Sequence, residues 1–242
     1  MKKLLTCLVL VLTVSLSLTA DVYIKSKTHS DAMSVMGQNT PAQDGISEQW
    51  LGDNKYTFIT GDQMFIIDLK KNLGYIINTK AKTYVEAALP LDMSKLLPPE
   101  AAAFAGMMKV SATVAPTTET KKFGSWNCVG YDVNMSMPMF AMKMKIWAAT
   151  DVPFDAAVFN AKIWGNLVGG MQMMDDASVK EMAKIKGFQI YSETTGDIMG
   201  AKVRQTTEVV EIVKKDAPAG IYSLPAGFTK TETLSMDALQ KK

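Results

Sequence analysis

The chain has 242 residues, with 26 lysine and arginine residues against 24 aspartate and glutamate residues. Removing residues 1–20 takes away two lysines and no acid, so the balance becomes 24 to 24. A neutral chain argues against nucleic acid or an anionic membrane surface as the main partner. His29 is the only histidine and Arg204 the only arginine, so bidentate clamps for phosphate or carboxylate groups are scarce.

The N-terminus has the layout of a cleaved secretory signal. Lys2 and Lys3 precede an apolar stretch at 4–18, and the small residue Ala20 follows it. An apolar stretch of about 15 residues is short of the roughly 20 that a membrane-spanning helix needs. We therefore expect a signal peptide at 1–20 and a single domain at 21–242. The mature protein would be periplasmic or secreted, and not an integral membrane protein.

Residues 22–89 predict an antiparallel meander, because short β-prone segments alternate there with turn signals. The predicted strands are 22–29, 46–50, 55–60, 63–69, 73–78 and 82–89. Segment 33–45 is predicted as a longer loop. The proline pair at 98–99, which an alanine run follows, predicts a short helix with proline in its first turn.

A methionine-rich tract follows in the next strand-like region, at Met135, Met137, Met139, Met142 and Met144. If 138–141 form a four-residue turn, a hairpin results with one apolar face. Its predicted facing pairs are Met137 with Met142, Met135 with Met144, and Val133 with Ile146. The opposite face would carry Asp132, Asn134, Ser136, Lys143 and Lys145, as expected of a sheet with one buried side.

Residues 154–174 predict an amphipathic helix. Phe159, Ile163, Leu167 and Met171 recur at every fourth position, and Trp164 widens their apolar face.

The rest of the chain predicts one more helix and two strands. Asp175-Asp176 predicts the N-terminal cap of a short helix that ends near Gly187. Residues 188–212 predict two long strands with a turn at 195–197, and 217–228 predict an extended flap or edge segment.

The residue types argue against common catalytic sites. His29 and Cys128 are the only histidine and, after signal cleavage, the only cysteine, and neither lies in an activated-nucleophile motif. Phosphate-loop and dinucleotide glycine patterns are absent from the sequence, and no spacing indicates a zinc site. We therefore expect a protein that is not an enzyme and has no catalytic residue, cofactor or resident metal.

The methionines leave three interpretations open. Ordinary core packing is the first. The second is an adaptable ligand cavity, because methionine is flexible and polarisable and can repack around varied apolar shapes. The third is a Cu(I) site, because thioethers are soft ligands.

Several short segments resemble the LolA/LolB/LppX group of exported lipoprotein- and lipid-carrier folds. They resemble more closely an uncharacterised exported bacterial domain family placed with that group. The segments that carry the resemblance are 21–28, 49–50, 66–68, 75–78, 82–84, 119–131, 147–151 and 224–228. The resemblance implies an α+β fold: a strongly curved antiparallel β-sheet, an unclosed barrel, with helices covering its concave face over an apolar cavity. In carriers of this group the cavity accepts acyl chains.

The leading functional expectation is an exported, non-enzymatic binder or carrier of an apolar ligand such as a lipid, an acyl chain or a lipoprotein, with a possible envelope protein partner. The ligand would lie between the methionine hairpin and the 154–174 helix. The predicted cavity residues are Val133, Met135, Met137, Met142, Met144, Ile146, Phe159, Ile163, Trp164, Leu167 and Met171. The alternatives are a methionine-rich envelope Cu(I)-binding protein and a structural or interaction domain without a ligand.

Overall fold

The structure is a computed structural model, and it describes residues 20–35, 37–99, 101–102, 110–137, 140–165, 174–198 and 200–234. The predicted signal peptide therefore lies almost wholly outside the described residues. Within the described part of the chain, no helix is long and apolar enough to cross a membrane.

One large sheet dominates the fold. Its strands are β1 (Val22–Ser30), β4 (Gln43–Leu51), β5 (Lys55–Thr60), β6 (Gln63–Asp68), β7 (Leu73–Asn78), β8 (Thr83–Ala88), β9 (Ser111–Phe123), β10 (Trp126–Met137), β11 (Phe140–Ala149), β12 (Phe188–Ile198), β13 (Ala201–Lys214) and β14 (Thr229–Lys230). Their order across the sheet is β14-β8-β7-β6-β5-β4-β1-β13-β12-β11-β10-β9, antiparallel except where β14 joins β8. The sheet is open, with β14 and β9 at its edges.

In the described part of the chain the helices are short. They are α1 (Met93–Leu96), α2 (Ala156–Phe159), which runs directly into a π-helical segment at Asn160–Trp164, and α3 (Asp176–Met182). A helical turn also begins at Pro99, as the proline pair predicts. Strand residues make up 58% of the structure and helical residues 12%, so the α+β expectation is confirmed only as a sheet-dominated fold.

The predicted meander is confirmed, but the loop predicted at 33–45 and the turn predicted at 195–197 differ from the structure. The predicted loop at 33–45 contains a small hairpin, β2 (Met33–Val35) with β3 (Gln38–Thr40), in which Gly37 has a φ of 82°. The predicted turn at 195–197 is wrong, because β12 continues to Ile198 and the chain reverses at Gly200.

Gly196 explains the second error. It lies inside β12, where an added Cβ would come within 2.9 Å of Met142 Cγ. This glycine therefore allows close packing and does not form a turn.

Helices α2 and α3 both begin at aspartate caps. Asp155 Oδ1 accepts hydrogen bonds from Ala157 N and Val158 N at 2.9 and 3.0 Å. Asp175 Oδ1 accepts one from Ser178 N at 2.7 Å, which confirms the predicted cap, although α3 ends at Met182 and not near Gly187.

Helix α3 covers part of the β9 edge through side chains. Ser178 Oγ accepts a hydrogen bond from Ala112 N at 2.8 Å, and Glu181 Oε2 accepts one from Val114 N at 3.0 Å. These two oxygens take the place of a neighbouring strand, because an edge strand otherwise leaves such amides unpaired.

The other edge is covered by the C-terminal segment. Ile221, Leu224 and Phe228 pack against Met64, Ile66 and Ile77, and Thr57 Oγ1 donates a hydrogen bond to Ile221 O at 2.9 Å. The segment then forms β14 beside β8. The predicted segment at 217–228 is therefore not extended, since it contains turns and packs on residues of β6 and β7, and the edge strand follows it at 229–230.

We predict that Ser178→Ala lowers the free energy of unfolding by about 1–3 kcal/mol, because the buried Ala112 amide loses its acceptor. Urea denaturation measures the change. Ser136→Ala is the matched control, since Ser136 is exposed and makes no side-chain hydrogen bond within the described part of the chain. The control should change stability by less than about 0.5 kcal/mol. Equal effects of the two substitutions would contradict the edge-capping role of Ser178.

Candidate functional site

The methionine tract forms the predicted hairpin in a different register. Met135 pairs with Met142, Val133 with Met144, and Met137 with Phe140. The predicted four-residue turn is therefore wrong by two residues, with positions 138 and 139 outside the described residues. A shift of two preserves the side-chain faces, because strand side chains alternate with a period of two.

The apolar face of this hairpin packs against α3. Val133 and Ile146 are each 1% exposed and Met135 is 7% exposed. The same cluster contains Met182 of α3, and it includes the partly buried residues Met137, Met142, Met144, Met174 and Ile185. Six methionines thus meet in one cluster.

The predicted helix residues belong to a different cluster. Phe159 and Ile163 pack with the core that includes Ile24, Tyr56 and Ile67. The Phe159 ring lies 5.9 Å from that of Tyr56 on β5 and 5.3 Å from that of Phe188 on β12. Leu167, Met171 and the side chain of Trp164 lie outside the described residues. The structure therefore does not bring the described helix residues together with the methionine face.

A large cavity lies elsewhere on the same face of the sheet. Its volume is about 1950 Å³. None of the eleven predicted cavity residues is among its described lining residues. Residues of β1, β4 to β8, β12 and β13 line it, together with Pro98 and residues 231–234.

Strand register relates the cavity to the methionine face. Met144 pairs with Thr194, Thr194 with Gln205, and Gln205 with Ser30. Gln205 and Ser30 both line the cavity. The hairpin methionines and the cavity therefore share one face, with α3 covering the first and the second lying open.

The cavity has an apolar part that continues into the main core. Ile190, Val209 and Leu234 line the cavity and also belong to the core cluster around Phe159, and Phe58 packs against that cluster. A ligand in the cavity would therefore meet aliphatic and aromatic carbon at one end.

More than half of the described lining residues are uncharged and polar. These hydroxyl and amide residues are Ser26, Thr28, Ser30, Gln43, Ser47, Gln49, Thr60, Gln63, Asn78, Thr83, Gln189, Gln205, Thr207, Thr231 and Thr233. Ser26 and Ser47 are only 3% and 8% exposed, and they pair directly across β1 and β4. Neither makes a side-chain hydrogen bond within the described part of the chain, so their hydroxyls can serve a ligand.

Charged groups line the cavity at four described positions. Asp62 and Glu232 carry negative charge, and Lys80 carries positive charge. The fourth residue, Asp44, is the cross-strand partner of His29, and its carboxylate contacts the His29 ring on the other face of the sheet. Two carboxylates therefore outnumber the one ammonium group among the described lining residues.

The only histidine and the only arginine meet in one network beside the cavity. His29 Nδ1 lies 2.7 Å from Asp44 Oδ1, and His29 Nε2 lies 3.2 Å from Asp31 Oδ1. Arg204 Nη2 donates to Glu193 Oε2 at 2.7 Å, and its Nη1 lies 3.6 Å from Asp31. Asp31 and Asp44 flank the β2–β3 hairpin, so His29 joins the two ends of that hairpin. The His29 side chain is 44% exposed, although β1 is an interior strand of the sheet.

The structure separates the two side chains that a histidine-based nucleophile would need. Cys128 is on β10, and three strands lie between β10 and β1, at about 4.8 Å per strand step. Cys128 is 1% exposed, and burial raises the pKa of its thiol to about 11. Among the described residues, no group of three His, Cys, Asp or Glu side chains is placed to hold a metal ion.

Sequence reasoning missed the cavity, although a signal for it exists. In β1 the uncharged Ser26, Thr28 and Ser30 alternate with the charged or titratable Lys27 and His29. That alternation separates an inner face from an outer one. Because the inner residues are polar, the pattern lacks the apolar contrast by which a buried strand face is normally recognised.

Comparison with protein-family models and with curated proteins found no match for this chain.

We predict that the pKa of His29 lies above 6.5, chiefly because of its hydrogen bond to Asp44. A raised folded-state pKa means that this contact stabilises the fold below the unfolded-state pKa and is lost as pH rises through the folded-state value. The ion pair between His29 and Asp44, which we call the histidine clamp, should therefore persist between about pH 5, where carboxylates remain ionised, and the pKa of His29.

A proton NMR titration measures this pKa without ambiguity, because the chain has one histidine. Asp44→Asn should lower the His29 pKa. Asp216→Asn should leave it unchanged, since Asp216 is exposed and is not one of the two carboxylates that contact His29. An unaltered His29 pKa in the Asp44→Asn variant would contradict the predicted effect of the histidine clamp.

Proposed function

We propose that this protein is an exported, non-enzymatic binder or carrier of an amphipathic ligand such as a lipid or an acyl chain. The cavity of about 1950 Å³ carries the proposal. Its volume exceeds the 300–1,000 Å³ of typical small-molecule sites, and its lining combines an apolar end with a polar remainder. An extended molecule with an apolar tail and a polar head suits that distribution.

The proposed site differs from the one that the sequence predicts. The methionine face is already in contact with α3, so core packing accounts for it. The tail of the ligand would instead lie against Phe58, Ile190, Val209 and Leu234. Ile190, Val209 and Leu234 are already buried and Phe58 is half-buried, so the gain on binding would come chiefly from removing the ligand's own tail from water.

The contacts of Phe159 support a curved sheet. Its ring contacts Tyr56 on β5 and Phe188 on β12, although four strand steps separate these strands. Four steps correspond to about 19 Å in a flat sheet. A sheet that bends around the α2 segment, as the resemblance to the LolA/LolB/LppX group implies, accounts for both contacts. The family assignment and the exported location are parts of the proposal.

A non-enzymatic role is supported by the environment of the reactive residue types. His29 is held between two carboxylates, and Cys128 is buried with a raised thiol pKa. A buried thiol of high pKa is a poor nucleophile, because the thiolate is the reactive form.

We predict that Gly45→Trp weakens binding of a neutral fluorescent amphiphile at least about tenfold. Gly45 lines the cavity, and an added Cβ would meet no atom closer than Thr28 Cβ at 4.0 Å. The indole would therefore occupy ligand space without straining the strand. Fluorescence titration with N-phenyl-1-naphthylamine measures the affinity.

Lys27→Trp is the control for this variant. Lys27 is exposed and lies next to Thr28 on β1 but on the other face of the sheet. Its substitution should change the affinity by less than about twofold. Equal loss in both variants, or failure of the wild-type protein to bind any amphiphile, would refute the proposed site.

A second candidate is Cu(I) binding by the methionine cluster. Met135 lies directly opposite Met142, and Met137, Met144, Met174 and Met182 pack in the same cluster. Thioether sulfur is a soft ligand that selects Cu(I).

Titration against a chromophoric Cu(I) chelator tests this candidate in the wild type and in a Met135/Met137/Met142/Met144→Leu variant. A copper site predicts a large loss of Cu(I) affinity in the variant. Core packing predicts equal, weak affinity in both proteins, together with a stability change under about 1.5 kcal/mol per Met→Leu exchange. Amphiphile binding should survive in the variant, since these methionines do not line the cavity.

A further inference from the structure

We infer that the ligand's polar head carries no net negative charge, so that the cavity selects uncharged or cationic amphiphiles over anionic ones. This inference rests on the proposed function, since it names the class of ligand for the same cavity. Three features of the structure support it. The first is a set of uncharged hydroxyl residues, which we call the floor of the cavity: Ser26, Ser47, Thr60 and Thr83. The others are the sign of the charges on the remaining described lining residues and the position of the one arginine.

The floor offers hydroxyl and amide groups without formal charge. Ser26 and Ser47 are nine-tenths buried or more, line the cavity, and make no side-chain hydrogen bond within the described residues. Thr60 and Thr83 are only half-buried, but they also line the cavity and make no side-chain hydrogen bond within the described residues. Hydroxyl groups both donate and accept hydrogen bonds. They therefore match a head that does the same, such as a hydroxyl-bearing or amide-bearing group.

The charges around the floor disfavour an anion. Asp62 and Glu232 face one opposing charge at Lys80 among the described lining residues. The Asp44 carboxylate does not add to this sum, because it contacts the His29 ring at 2.7 Å on the other face of the sheet. A carboxylate, phosphate or sulfate head would therefore meet a net negative charge from the described lining residues, and like charges repel.

The groups that usually hold anions are engaged elsewhere. Arginine is the preferred partner of carboxylate and phosphate because its guanidinium donates in a planar fork. Arg204 does not line the cavity, and its guanidinium is paired with Glu193 at 2.7 Å and lies 3.6 Å from Asp31. An anionic head in the cavity would thus lack the partner that this chain could have supplied.

Three amphiphiles with twelve-carbon chains and different heads test the inference. Dodecyl maltoside is neutral, dodecyltrimethylammonium is cationic, and N-lauroylsarcosinate is a mild anionic surfactant. Each is titrated below its micelle concentration against the protein loaded with the neutral probe N-phenyl-1-naphthylamine, and circular dichroism checks that the protein stays folded. We expect the neutral and cationic compounds to displace the probe at concentrations at least about tenfold lower than the anionic one. The difference should shrink at high salt, because ions screen the exposed carboxylates.

A charge-reversed variant distinguishes the cavity charges from the charge of the whole protein. Asp62→Lys/Glu232→Lys should strengthen binding of the anionic compound about tenfold. Asp53→Lys/Asp216→Lys makes the same change in net charge at residues that do not line the cavity, and it should leave the order of affinities unchanged.

The outcomes separate the inference from the proposed function. Anionic binding as tight as neutral binding in the wild type, or equal effects of the two double variants, overturns the inference while amphiphile binding stands. Failure of the probe and of all three compounds to bind overturns the proposed function, and the inference with it.

Discussion

An open sheet of twelve strands must protect two edges, and the rest of this structure depends on how it does so. Unpaired amides along an edge invite pairing with another chain. At β9, Ser178 and Glu181 of α3 accept hydrogen bonds from strand amides. At β8, the C-terminal segment adds the two-residue strand β14. Segments distant in sequence therefore complete the sheet at both edges.

Both edge covers also determine what the inner face can do. Helix α3 packs over the methionine hairpin, where Met135 is buried and Met137, Met142 and Met144 are partly buried. At the other edge the chain continues from β14 into residues 231–234, where Leu234 N donates to Leu96 O at 2.7 Å and the same residues line the cavity. One edge cover thus closes part of the face, and the other forms a wall of the open part.

Prediction from sequence succeeded where local signals determine the outcome. The strand bounds at 55–60 and 73–78 and the cap at Asp175 match the structure, because alternation and capping act within a few residues. The predicted hairpin register was wrong by two residues, since Met135 pairs with Met142 and not with Met144. A shift of two residues leaves the same side chains on the same face, so the alternating pattern cannot reveal it. The predicted partner of the methionine face, the 154–174 helix, was also wrong, because α3 packs there instead. Phe159 and Met182 carry similar apolar signals, and only the three-dimensional arrangement of the sheet decides which helix lies over which strands.

The cavity escaped prediction because its floor breaks the rule by which cores are recognised. Ser26 and Ser47 are buried on a central strand pair, where valine or alanine would avoid the cost of burying a hydroxyl group. Local departures of this kind from the stable choice are expected at functional sites, where the rest of the fold offsets them. Here the offset is visible on the same strand, since Val22 and Ile24 of β1 are buried in the main core. The strand that places hydroxyls in the cavity is held in position by its apolar half, so that β1 contributes both to the stability of the sheet and to the polarity of the proposed site.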